Sequence, residues 1–241
     1  MSARLESLPA DRNESVRDDL AGMASFFIDP VGAARRVHHK WFWIGPLLIF
    51  SILSLIASYT LMPMVQHVLE TSPAPANMDP AGYQRQVEMG MKAQHIFMYL
   101  APLMVAGKLA LQAVVLLGFA SVLAVNAGYR QLFNLVAGCS LIDALSALAG
   151  LVILKFRGDI TSMAELRPAL GLDIFLPEGT NKFVAAFLGY FSTFEVWWIV
   201  IAALTFSAAF RVTKGKALSV ILPLVLLNLL FRLGATAFQR P

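Results

Sequence analysis

Charged residues are scarce in this chain. They make up 14% of its 241 residues, where ordinary soluble domains carry about 25%. With 58% of the residues hydrophobic and a mean hydropathy of +0.67, there is too little polarity to cover one large core against water. A soluble globular protein is excluded on that ground, and an integral membrane protein is indicated. Cysteine is scarcer still. Cys139 stands alone inside an apolar segment, so no intrachain disulfide can form and nothing points to an oxidising compartment. The pattern of a cleavable leader is missing too. The first 22 residues mix Arg4, Arg12 and Arg17 with Glu6, Asp11, Glu14, Asp18 and Asp19, and no apolar stretch follows a basic start. Insertion is therefore expected to begin with the first membrane-spanning helix.

Signatures of catalysis and cofactor binding are lacking as well. "PLMVAGKLA" holds a Gly-Lys pair, but Pro102 stands where a phosphate-binding loop needs its first glycine. No G-x-S-x-G elbow and no H-E-x-x-H occurs. His38 and His39 are adjacent, so on a helix they diverge by about 100° and cannot chelate one ion together. His67 and His95 edge the same long loop and could meet. A non-enzymatic protein is expected, without catalytic residues, cofactor or metal. The formal net charge of +4 suits anionic headgroups and is too diffuse for nucleic acid.

Long apolar runs are what the chain does have. A bilayer core about 30 Å thick needs roughly 20 apolar residues in a helix. Five stretches qualify, at 43–66, 96–125, 131–154, 183–210 and 218–238. None shows the ten-residue alternation of a membrane β-strand, and backbone groups in lipid must be satisfied internally. The expected fold class is all-α: a polytopic membrane protein of five transmembrane helices within residues 26–241, preceded by a polar and flexible tail at 1–25. Ahead of the first span, Asp29 is a good N-cap and Pro30 a good first helical residue. The short helix they open sets Val31, Ala34 and His38 against Arg35, Arg36, His39 and Lys40, with Trp41 and Trp43 behind. It reads as an interfacial helix.

Orientation is weakly encoded. The N-terminal side carries Arg35, Arg36, Lys40, Arg130, Arg211, Lys214 and Lys216. The other side carries Arg85, Lys92, Lys155, Arg157, Arg167, Lys182 and Arg240, so basic residues balance seven against seven. The compact clusters at 35–40 and 211–216 favour a cytoplasmic N-terminus, and an odd number of spans puts the C-terminus on the far side. Arg35, Arg36, Lys40, Arg211, Lys214 and Lys216 are the residues expected to touch lipid headgroups.

Five polar residues fall at membrane depth: Lys108 in the second span, Asp143 in the third, Glu195 in the fourth, and Asn228 and Arg232 in the fifth. A central charge facing lipid costs about 2.5–3.5 kcal/mol on insertion scales. Two positive and two negative charges sum to zero, so a buried cluster with internal pairing is expected, its helices packed through small residues such as Ser140, Ser146, Ala147 and Gly150. Trp197 and Trp198 lie mid-span, where at least one should pack on the cluster. No Gly or Pro break stands near Glu195, so the fourth span reads as one continuous helix.

Several segments, in order, resemble the Yip family, five-span proteins named for eukaryotic members that interact with Rab-type GTPases. They are "FFIDPVGAARRV" and "WFWIGPLL" before and at the first span, "GYRQLFNLVAGCSL" into the third, "LDIFLPEGTNKFVAAFLGYFSTFEVWWIVIAAL" through the fourth, and "RVTKGKAL" into the fifth. The resemblance covers residues 26–238. It implies a five-helix bundle with a cytoplasmic N-terminus, and the short N-terminal region resembles the bacterial branch, in which no Rab partner exists. The function expected is that of a membrane scaffold or organiser that binds protein or lipid. The alternative is a small transporter or channel, linked to protons or ions, centred on the polar cluster. The partners implied are the lipid bilayer and then another membrane protein or a second copy of the chain, with neither nucleic acid nor nucleotide.

Overall fold

The computed structural model describes residues 12–71, 79–157, 160, 165–166, 170–177 and 179–237. Helices α1 (Arg12–Ile28) and α2 (Pro30–Val37) form a hairpin, and α3 (Ile44–Thr71), α4 (Pro80–Val122) and α5 (Tyr129–Phe156) follow. A 3₁₀ turn (Leu172–Phe175) precedes α6 (Lys182–Tyr190), α7 (Thr193–Phe210) and α8 (Lys214–Ala237). Among the described residues no strand forms, only an isolated bridge between Gly171 and Ser192. Five helices, α3, α4, α5, α7 and α8, are long and apolar enough to cross a membrane. The chain is thus an all-α, multi-pass membrane protein.

Four spans extend or shift the apolar windows, and one is divided. α4 has 43 residues, about 65 Å at 1.5 Å per residue, and exceeds a bilayer core of about 30 Å by about half its length. Its start was legible as Asp79-Pro80, whose carboxylate accepts the Gly82 N–H at 3.2 Å. With α3 running on to Thr71, the expected loop at 67–95 is largely a helical hairpin, tied by the Tyr83 hydroxyl to the Leu69 carbonyl at 3.5 Å. The fourth span is not one helix. It stops at Tyr190 and restarts at Thr193.

The N-terminal region also departs from expectation. Residues 12–28 are helical, not a tail, while residues 1–11 of the expected tail lie outside the described residues. α2 begins as expected, with the Asp29 carboxylate accepting the N–H groups of Val31 at 3.2 Å and Gly32 at 3.0 Å. It packs on α5 and α7 through buried Ala33, Ala34 and Val37. The core of the bundle lies among α4, α5, α7 and α8, where Leu109, Leu116, Leu135, Ile142, Phe206 and Ile221 are fully buried.

Candidate functional site

Four helices bring the polar residues to one depth. Lys108 is fourteen residues from Val122, Asp143 fourteen from Tyr129, Glu195 fifteen from Phe210 and Asn228 fourteen from Lys214. All those reference ends lie at the N-terminal end of the bundle. At 1.5 Å per residue the four side chains start about 21–23 Å from it. All five expected residues line one cavity of about 240 Å³, together with Gln112, Tyr190 and Trp198.

The pairing is selective. The Lys108 ammonium donates to the Asp143 carboxylate, Nζ to Oδ2 at 3.2 Å, and lies 5.8 Å from the centre of the Phe50 ring. Glu195 and Arg232 have no ion-pair partner within 4.0 Å among the described residues. Instead, Glu195 Oε1 accepts a hydrogen bond from the Tyr190 hydroxyl at 2.8 Å. The expectation that all four charges neutralise one another inside a buried cluster is therefore corrected. The Lys108 side chain is 49% exposed and that of Asp143 27% exposed, so the protein shell leaves the pair open at its rim. Long side chains at a cavity mouth reach out of the packed interior more easily than they can be enclosed.

The break in the fourth span explains Glu195. Ser192 is the N-cap of α7, and its hydroxyl accepts the Glu195 N–H at 3.1 Å. Glu195 thus occupies the first turn of a helix, where free N–H groups and the helix dipole favour an anion. Ser192-x-x-Glu195 is the capping-box spacing, a start signal readable in the sequence but hidden inside an unbroken apolar run. The Glu195 side chain turns away to Tyr190 rather than completing the box.

The far loop closes on this break. Gly171 bridges Ser192, and a Cβ on Gly171 would lie 2.7 Å from the Gly189 carbonyl oxygen. Only glycine allows that backbone approach. A Cβ on Gly189 would in turn meet Asp173 Oδ2 at 2.7 Å and Arg232 Nη2 at 2.9 Å. Asp173 and Arg232 therefore face each other across Gly189. Asp173, Tyr190 and Ser192 were not among the sequence candidates. Asp173 Oδ1 accepts the Gly171 N–H at 3.1 Å, and its approach to Arg232, some sixty residues on, carries no local signal.

A larger cavity of about 500 Å³ adjoins the first. Asp143, Glu195 and Arg232 line both. Ser146 and Ser192 add polarity, and the walls are otherwise apolar, from Ala57 and Leu61 of α3 to Leu151 and Leu154 of α5. Its size is that of a small-ligand site. Trp198 packs on the smaller cavity, whereas the Trp197 indole N–H donates to the Phe27 carbonyl at 2.8 Å.

The six basic candidates gather at the N-terminal end of the bundle, on α2, the following turn, the left-handed C-cap Arg211 and the first turn of α8. Arg35, Lys40, Arg211 and Lys214 are exposed, and Arg36 lies over Gly22 of α1. The His95 ring is bonded to the Met91 carbonyl of its own helix, and among the described residues no three His, Cys, Asp or Glu side chains gather as a metal set. No family model, no curated protein and no solved structure matches the chain, and nothing in those comparisons identifies the Yip family.

Proposed function

We propose that this multi-pass membrane protein is a small transporter or channel for protons or ions, with Asp143 and Glu195 as its working carboxylates. The observation that carries the reading is the interruption at Phe191–Ser192, placed where Asp143, Glu195 and Arg232 separate two cavities. α7 alone is long enough to cross a membrane, so the break marks the far end of that span, where the first turn of α7 and Glu195 meet the cavities. Discontinuous helices are characteristic of carriers, whose half-helix ends present N–H groups and carbonyls to ions.

Tyr190 supplies a proton-sensitive element. Its hydroxyl lies 2.8 Å from Glu195 Oε1 and 3.1 Å from the Val225 carbonyl of α8. It has one proton for two acceptors. With Glu195 ionised, the proton serves the carboxylate. With Glu195 protonated, the acid donates to the Tyr190 oxygen, and the hydroxyl turns to Val225. One proton thereby changes the bonding among α6, α7 and α8.

The test is flux. Protein in liposomes is given a pH gradient, and internal pH is followed for wild type and Glu195→Gln. Dissipation faster than in empty liposomes, lost in the variant, is the expected result. Equal rates in protein-containing and empty liposomes would return the scaffold reading. That second reading draws on the exposed Arg35, Lys40, Arg211 and Lys214, each worth on the order of 1 kcal/mol against an anionic surface. The same basic end is proposed to face the cytoplasm of a cell membrane, with the C-terminus on the far side.

A further inference from the structure

The charges around the two cavities do not balance. Lys108 and Arg232 face three carboxylates, those of Asp143, Glu195 and Asp173 of the 3₁₀ turn. Lys108 is taken by Asp143 at 3.2 Å, and Arg232 lies opposite Asp173 across Gly189. Glu195 is the carboxylate left over. Its Oε1 accepts the Tyr190 hydroxyl at 2.8 Å, and its Oε2 has no hydrogen-bond partner among the described residues. An uncompensated negative charge at membrane depth is costly, and either a proton or a cationic ligand removes it.

The smaller cavity offers more acceptors than a proton needs. Gln112 of α4 borders it and is only 6% exposed, yet its amide meets no hydrogen-bond partner among the described residues. Buried polar groups are nearly always paired, so a partner is expected in that space. Asn228 of α8 borders the same space, half-buried and equally without a partner among the described residues. Glu195 Oε2 and the amide oxygens of Gln112 and Asn228 thus stand free, one of them charged. A proton occupies a single acceptor, whereas an ammonium group brings three N–H donors and one positive charge. Trp198, one turn from Glu195 on α7, adds an aromatic wall to the same space, and cations are attracted to such rings.

The larger cavity supplies the complement. Asp143, Glu195 and Arg232 border both spaces, and beyond them the walls are apolar, from Ala57 and Leu61 of α3 to Leu151 and Leu154 of α5. A volume of about 500 Å³ with a carboxylate at its edge accommodates a small apolar body joined to a charged head. An inorganic cation would leave those walls unused.

We propose that the two cavities form one binding site for an organic amine, its ammonium head among Glu195, Gln112 and Asn228 and its apolar body in the larger space. The ammonium takes the place of the proton on Glu195, so the two alternate there. Movement of the amine across the membrane rests on the transport reading, whereas its binding does not.

Calorimetric titration of the full-length protein in detergent tests the site, with phenethylamine as the probe. The amine binds at neutral pH. Phenethyl alcohol, with the same ring and no charge, binds at least about tenfold more weakly. The trimethylammonium analogue keeps the charge, loses the N–H donors and binds about fivefold more weakly. Gln112→Leu lowers affinity for the amine by about fivefold and leaves that of the trimethylammonium analogue unchanged. Lowering the pH protonates Glu195 and weakens amine binding, by up to about tenfold per pH unit. In Glu195→Gln the affinity is at least about tenfold lower and that dependence is gone. Lys108, Asp143, Asp173, Tyr190 and Arg232 remain in the variant, so the difference between the two pH profiles reports Glu195 alone. The three ligands compared on wild type decide the matter even where a variant fails to fold. No binding of the amine, equal binding of amine and alcohol, or an unchanged pH profile in Glu195→Gln overturns the proposal. Glu195-dependent proton flux in a protein that does not bind the amine removes the amine and keeps transport. Amine binding without flux keeps the site and removes transport.

Discussion

At the N-terminal end, a helical hairpin packs on α3, α5 and α7, its base tied through the fully buried Asn134. At the far end α3, α5, α7 and Arg232 of α8 wall a cavity of about 500 Å³, edged by Leu166 and Leu170. One end spends its polar groups on holding backbone in place, whereas the other leaves Glu195 and Arg232 without an ion-pair partner among the described residues. Buried backbone polar groups need partners, and so does charge in lipid. A bundle that meets the first demand at the hairpin base and the second only in part has placed its open chemistry at the far end.

Substitutions can sharpen or break that contrast. The largest loss is expected for Asn134→Leu, which leaves two carbonyls and one N–H of the hairpin base without partners, at about 3–5 kcal/mol. Thermal unfolding in detergent measures it. Gly138→Ala follows, with about 1–3 kcal/mol lost because the new Cβ would collide with the Phe26 ring. Phe26→Leu in the same chain should recover part of that loss. Next comes a double-mutant cycle: Asp143→Leu with Lys108→Met should show a coupling of about 1 kcal/mol, whereas Glu195→Leu with Lys108→Met should be additive within about 0.5 kcal/mol. Coupling in the second cycle instead of the first would reassign the pair. The smallest effect is expected for Ser192→Ala, about 1 kcal/mol for a lost N-cap, read from the same unfolding curves. A far-end substitution that outweighs Asn134→Leu would break the contrast.

How much of this was readable beforehand follows from the range of each signal. Span existence came from apolar windows, because a bilayer demands them locally, and the five helices fall within a few residues of those windows at most ends. The polar start of α4 was missed because hydropathy reports the membrane and not the helix. Asp79-Pro80 repeats the Asp29-Pro30 signal that was recognised at α2. The break before α7 was missed because Phe191 and Phe194 keep hydropathy high across Ser192, and its marker was capping chemistry, not Gly or Pro. The convergence of Lys108, Asp143, Glu195, Asn228 and Arg232 was suggested by depth alone. Which of them pair, and the arrival of Asp173 and Tyr190, depend on side-chain directions and loop return that no local pattern carries.

The most direct measurement concerns access to the cavity at the far end. Ala147 lines the larger cavity and is exposed within it. In a Cys139→Ser background, Ala147→Cys in oriented liposomes should react with an impermeant maleimide from the far side at least about ten times faster than from the N-terminal side, as expected where only one face of a site is solvated. Equal rates from the two sides, or reaction from the N-terminal side alone, would contradict a carboxylate site that opens to the far face.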